Sequence, residues 1–218
     1  TLFLSSTPLY RDEVKNAQAL VWAQKKPLLY SLHVGQYLPD WHPWESYKSF
    51  FLGDKRTNGC REIMGVNLPW LYKTFGAIQN VSAVRSKLTT LDIDYPDAYT
   101  ILLTHENGTI GTLLTDVAAR TPIYEFRVIG EELQLAWDGK PNTLQCYDIQ
   151  EKAWKPVGAR YEAEQLSAYS ANIVENAYLH EIEAFFDAID GKPVRYDFEQ
   201  DKEVVRLMNQ IESEARDA

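Results

Sequence analysis

Between residues 78 and 157 the chain alternates apolar and polar residues with a period of two, and on either side the period lengthens to that of a helix. A chain so patterned must build one sheet and cover it with a few helices. The clearest unit is a hairpin. Tyr99-Thr100-Ile101-Leu102-Leu103-Thr104-His105 and Thr109-Ile110-Gly111-Thr112-Leu113-Leu114-Thr115 flank Asn107-Gly108. Asn-Gly between β-rich runs predicts a two-residue turn with both residues at positive φ. Further strands are predicted over 123–129, 133–137 and 144–149 and around Trp154. Short connections between successive strands imply a long, mostly antiparallel meander.

The flanks supply the cover. Leu2-Phe3-Leu4 reads as a short strand, and Ser6 or Thr7 as the cap of a helix carrying Pro8 in its first turn and Val14, Ala17, Leu20 and Val21 on its inner face. Pro27 closes that element, and 28–34 forms a strand. A helix over about 59–75 has the stripe Ile63, Val66, Asn67, Trp70, Leu71 and Thr74, with Pro69 inside it removing a hydrogen bond or bending it. Helices over 173–190 and 199–216 end the chain, and 158–172 reads as a long loop. The expected fold class is α+β: a large, mostly antiparallel β-sheet with helices packed on one face.

Composition narrows the function. With 22 basic and 31 acidic residues the net charge is −9, against the basic footprint that nucleic acid requires. The acidic run Glu199, Asp201, Glu203, Glu212, Glu214 and Asp217 reads as a solvated helix face. No stretch reaches the roughly 20 apolar residues of a membrane span, and no signal peptide is visible. Cys60 and Cys146 make no disulfide framework, which fits a reduced, cytoplasmic setting. His33, His42, His105 and His180 form no ligand pair, so no metal site is expected.

Four phrases, in order, resemble the C-terminal domain of the Gfo/Idh/MocA family (glucose–fructose oxidoreductase, inositol dehydrogenase and relatives). They are Val34-Gly35-Gln36-Tyr37-Leu38-Pro39-Asp40-Trp41-His42-Pro43-Trp44-Glu45; the helix from Gly59 that ends Thr74-Phe75-Gly76; Phe126-Arg127-Val128-Ile129-Gly130-Glu131-Glu132-Leu133-Gln134-Leu135-Ala136-Trp137; and His180-Glu181-Ile182-Glu183-Ala184-Phe185-Phe186-Asp187-Ala188-Ile189-Asp190-Gly191-Lys192-Pro193. Together they cover nearly the whole chain. The resemblance implies that residues 1–26 are the last strand and helix of an N-terminal Rossmann domain and 27–218 a substrate-binding and oligomerisation domain. It also implies NAD or NADP as cofactor of the longer protein. No G-x-G-x-x-G occurs here, so no cofactor-binding residue is expected in this chain.

Oxidising a sugar hydroxyl needs a base for its proton and contacts that hold the carbon in place. Relatives in this family use a His, often with an Asp one turn later, on the helix that here reads Gly59-Cys60-Arg61-Glu62-Ile63-Met64-Gly65-Val66-Asn67-Leu68-Pro69-Trp70. Neither alignment register restores that pair. The catalytic candidates are therefore Glu62, Asn67 and His42. An amide is no base near neutral pH, and a buried amide satisfied by backbone groups is an equal reading of Asn67. A charge near the helix dipole is the competing reading of Glu62. Substrate contacts are expected from Asp40, Trp41, Trp44, Tyr47 and His180, because aromatic faces cover sugar C–H groups while polar neighbours read hydroxyls. The alternatives are aromatics that tie down the loop, and a satisfied interface histidine at His180.

The function expected is the substrate-binding and dimerisation half of an NAD(P)-dependent oxidoreductase acting on a sugar, sugar nucleotide or cyclitol, assembled as a homo-oligomer through the sheet. The missing His/Asp pair keeps a second reading open, a non-catalytic relative serving assembly or carbohydrate binding. A free-standing carbohydrate-binding module is a third, carried by the aromatic loop alone.

Overall fold

The computed structural model describes residues 2–164 and 174–218. A 3₁₀ turn at Thr7–Tyr10 leads into α1 (Asp12–Trp22) and then β1 (Leu29–Gly35). Short 3₁₀ turns at Leu38–Asp40 and Phe51–Gly53 precede α2 (Gly59–Phe75). Seven strands follow: β2 (Ile78–Ser86), β3 (Ala98–His105), β4 (Ile110–Asp116), β5 (Ile123–Ile129), β6 (Gln134–Trp137), β7 (Gln145–Asp148) and β8 (Ala153–Pro156). After α3 (Glu175–Ile189) and α4 (Phe198–Glu214), the short β9 (Arg216–Asp217) ends the chain.

All nine strands form one sheet in the order β8-β7-β6-β5-β1-β4-β3-β2-β9. Pairing is antiparallel except between β1 and β4 and between β2 and β9. The expected fold class is the observed one. The meander, however, is interrupted: β5 pairs with β1, not with β4. β1 takes the central position, where Tyr30 and Leu32 are fully buried.

Period two does its work in the hairpin, where β3 buries Tyr99, Ile101 and Leu103, and Leu113 of β4 faces the same side. The turn differs from the sequence expectation. Gly108 has φ 82° while Asn107 is not at positive φ, and the N–H groups of His105 and Gly108 bond to the carbonyls of Thr109 and His105. This is a three-residue loop closed by a left-handed glycine, so only Gly108 needs the special conformation. Leu2–Leu4 is not a strand either. The sheet order leaves no neighbour for it, and Phe3 packs by its ring on Tyr10 and Phe185. The first helix begins at Asp12, not beside Thr7; Pro8 sits instead in the 3₁₀ turn. Of the loop expected over 158–172, residues 165–172 lie outside the described residues.

The core lies between the sheet and α1, α2 and α4. Trp70 of α2 meets Phe126 edge-on at 5.0 Å between centroids, and Tyr30 stacks on Phe75 at 4.0 Å. Gly111 makes room for that stack, since a Cβ there would lie 1.9 Å from the Tyr30 ring. Burying side chains of this size contributes roughly 1.5–3 kcal/mol each. Leu9, Tyr10, Val14, Ala17 and Val21, all within the first 26 residues, belong to the same core. Among the described residues no helix packs on the opposite face of the sheet. Leu29 stands there between its cross-strand partners Ile110 and Ile129, each more than two-fifths exposed. Among the described residues no helix is long and apolar enough to cross a membrane.

Candidate functional site

A cleft of about 710 Å³ opens where the 5–11 segment, the end of β1, the outer face of α2, the start of β5 and the first turns of α3 and α4 converge. Its size is that of a small-molecule site. α2 positions the first two polar groups. Asn58 caps that helix, its Oδ1 accepting from the Arg61 N–H at 2.8 Å, so that Glu62 falls in the first turn and Asn67 in the third. Glu62 is half-buried on the cleft wall and has no hydrogen-bond or ion-pair partner among the described residues. Burial pushes its carboxyl pKa up.

Asn67 also lines the cleft but is fully engaged. Its Nδ2 donates to the Ile63 carbonyl at 2.8 Å, and its Oδ1 accepts from Trp70 Nε1 at 3.0 Å and from the Tyr124 hydroxyl at 3.4 Å. That bonding fixes the amide, and through it the Tyr124 phenol, at the cleft. Pro69 lines the same stretch of α2 and has no N–H for the Gly65 carbonyl, which is left as an acceptor beside the cleft.

The 5–11 segment supplies the facing wall. Buried Glu181 of α3 holds it, accepting from the Ser6 N–H at 2.7 Å and the Thr7 hydroxyl at 2.8 Å. The Ser6 hydroxyl is itself buried without a partner among the described residues. Arg11 is the one cationic residue in the lining. Its guanidinium lies 4.7 Å from the Trp137 ring centroid and 3.2 Å from Glu13. Glu13 in turn accepts from the Asn142 N–H at 2.8 Å and the Tyr161 hydroxyl at 2.9 Å.

Of the residues singled out from the sequence, the structure gathers Glu62, Asn67 and Trp41 on one cleft. Trp41 is fixed there by donating from Nε1 to the Gln36 carbonyl at 2.8 Å. The rest of the aromatic loop does not line it. His42 bonds from Nδ1 to Glu45 at 2.7 Å and lies against Trp44 and Phe50, while Tyr47 accepts from the Asp92 N–H at 3.3 Å. Asp40 is exposed, and Trp44 is 57% exposed. His180 faces α1, its Nδ1 3.3 Å from the Tyr10 carbonyl and 3.5 Å from Lys15 Nζ.

The cleft has members that the sequence did not single out. Tyr178, two residues before His180, reaches it. Asp201 is a correction: it does not sit on a solvated helix face. The first turn of α4 lies against the cleft, and Asp201 accepts there from the buried Tyr196 hydroxyl at 3.1 Å. Arg11 and Tyr124 carry no sequence signal and Ser6 only that of a helix cap, because only the packing of separate elements brings them together.

A dinucleotide finds no seat among these residues. Pyrophosphate binding calls for a glycine-rich turn or a helix N-terminus with free N–H groups. Here every α-helix has acidic residues in its first turn: Asp12 and Glu13, Glu62, Glu175, and Glu199 with Asp201.

No family model matches the chain, and no curated protein matches it. Solved structures do. Levoglucosan dehydrogenase in complex with NADH superposes with a TM-score of 0.75 at 16% identity, over 96% of this chain and 62% of that one. GenD2 from gentamicin A biosynthesis, in complex with NAD, gives 0.70 at 18% identity over 97% and 60%. UDP-N-acetylglucosamine 3-dehydrogenase GnnA from Acidithiobacillus ferrooxidans gives 0.62 at 20% identity over 94% and 60%. The chain thus spans about three-fifths of the length of these proteins and shares their fold over that span. It is the fold that the resemblance to Gfo/Idh/MocA C-terminal domains implies.

Proposed function

We propose that this chain is the substrate-binding half of an NAD(P)-dependent oxidoreductase acting on a sugar-type substrate (a sugar, sugar nucleotide or cyclitol), and that the cofactor is held by a separate domain of the longer protein. The observation that carries the reading is the cleft on a dehydrogenase-like sheet domain, where Glu62, Asn67, Tyr124 and Trp41 meet. In this reading residues 1–26 continue an N-terminal nucleotide-binding domain while also packing into the core described above.

Each residue has a role that its chemistry permits. Glu62, without a partner among the described residues and with its pKa raised by burial, takes the proton of a bound hydroxyl. Tyr124, oriented by Asn67, and the Gly65 carbonyl hold neighbouring hydroxyls. Trp41 covers a C–H face. The apolar open face of the sheet, around Leu29, Ile110 and Ile129, is the surface for pairing with a second copy.

The reading is tested in the longer, cofactor-binding protein. Glu62→Gln is expected to lower kcat by about 10²-fold or more while leaving NAD(P)H binding intact. His42→Ala, outside the cleft, is expected to leave kcat within about twofold, an estimate from the same base-catalysis scale. A large loss from His42→Ala with none from Glu62→Gln moves the base to the aromatic loop. A second reading, a non-catalytic carbohydrate-binding relative, is favoured by the absence of the family's His/Asp pair from α2; unchanged substrate binding with no turnover in the unmodified protein supports it.

A further inference from the structure

We propose that the cleft selects a neutral or amine-bearing polyhydroxylated ring and rejects phosphorylated and nucleotide-linked sugars. The proposal rests on the substrate-cleft reading above and narrows it. Its basis is the balance of charge and hydrogen-bonding capacity on the cleft walls. Two carboxylates line the cleft, Glu62 on α2 and Asp201 on α4, two helices that pack on each other. The single cation of the lining among the described residues, Arg11, is already matched by Glu13 at 3.2 Å, and its guanidinium is spread over the Trp137 ring. A phosphate entering the cleft therefore meets two negative charges and no uncommitted positive one. An ammonium meets the reverse.

The neutral groups add to this bias. The Gly65 carbonyl beside Pro69 can only accept. The Tyr196 hydroxyl gives its proton to Asp201. The Ser6 hydroxyl, behind the same wall, is closed off from the cleft and adds no donor to it. Donors on the ligand are thus in demand, and anionic acceptors are not.

The test is a titration of the protein at about pH 7, where a sugar amine is largely charged, followed by saturation-transfer NMR. The probes are D-glucose, D-glucosamine, D-glucose 6-phosphate and UDP-glucose. Glucosamine is expected to bind about tenfold or more tightly than glucose 6-phosphate, with glucose between them and UDP-glucose weakest. Asp201→Asn and Glu62→Gln are each expected to compress that range, as is about 1 M salt. Glucose 6-phosphate or UDP-glucose binding as tightly as glucose overturns the proposal and leaves the sugar cleft standing. Failure of all four probes, glucose included, removes the sugar cleft and the proposal with it.

Discussion

His105 is buried at the end of β3 with both ring nitrogens committed. Nδ1 donates to the Gly76 carbonyl at 2.8 Å, and Nε2 accepts from the Tyr30 hydroxyl at 2.9 Å. Only the neutral ring makes both bonds, and burial lowers its pKa from the ordinary 6.5. Its unfolded form therefore binds the proton more readily, so this contribution to stability is complete above about pH 6.5 and falls as the pH drops from there toward the folded pKa. Glu62 acts in the opposite sense: with its carboxyl pKa raised, folding is favoured as the pH falls toward the unfolded value of 4.5. Thermal melts of Glu62→Gln, which lacks that opposing contribution, are expected to lose Tm steadily from pH 7 to pH 5, and His105→Gln in the same background to lose less over that interval. Parallel curves would show that His105 is not held neutral. Asn67 shows what one residue reveals in sequence. Its place on an apolar stripe was legible, whereas its partners Trp70 and Tyr124 required the fold, because Tyr124 comes from a strand 57 residues away.

At the scale of elements, α2 and α4 were readable because their apolar spacing and caps are local. α2 spans the expected 59–75, and α4 begins at a capping box in which Asp197 accepts from the Gln200 N–H at 2.9 Å. The strand order was less legible. Period two marks each strand and its buried face, but nothing local says that β1 inserts between β4 and β5. The same limit hid the cleft. Asp201 looks like one more acidic residue in an acidic run, and only the placement of the first turn of α4 brings it to the cleft. The cap and the cleft are therefore linked. Asp197→Ala is expected to cost about 1 kcal/mol of stability and to speed amide exchange over the first turn of α4, where Asp201 sits. Unchanged exchange there would mean that packing alone holds that turn.

For the molecule as a whole, the described helices leave one face of a nine-stranded sheet uncovered, with Leu29, Ile110 and Ile129 adjacent in register. If that face pairs with a second copy, light scattering should give a dimer at micromolar concentration and Leu29→Glu a monomer with an intact near-ultraviolet spectrum; a monomeric unmodified protein contradicts the pairing. The other side of the molecule carries the central claim, that a sugar-type ligand is held between α2, the 5–11 segment and the start of β5. The most direct measurement is a backbone and side-chain chemical-shift titration of the protein with D-glucose. Perturbations at Glu62, Asn67, Trp41 and Tyr124 that saturate together are expected. Perturbations confined to His42, Trp44 and Tyr47, with the cleft residues unmoved, would contradict that claim.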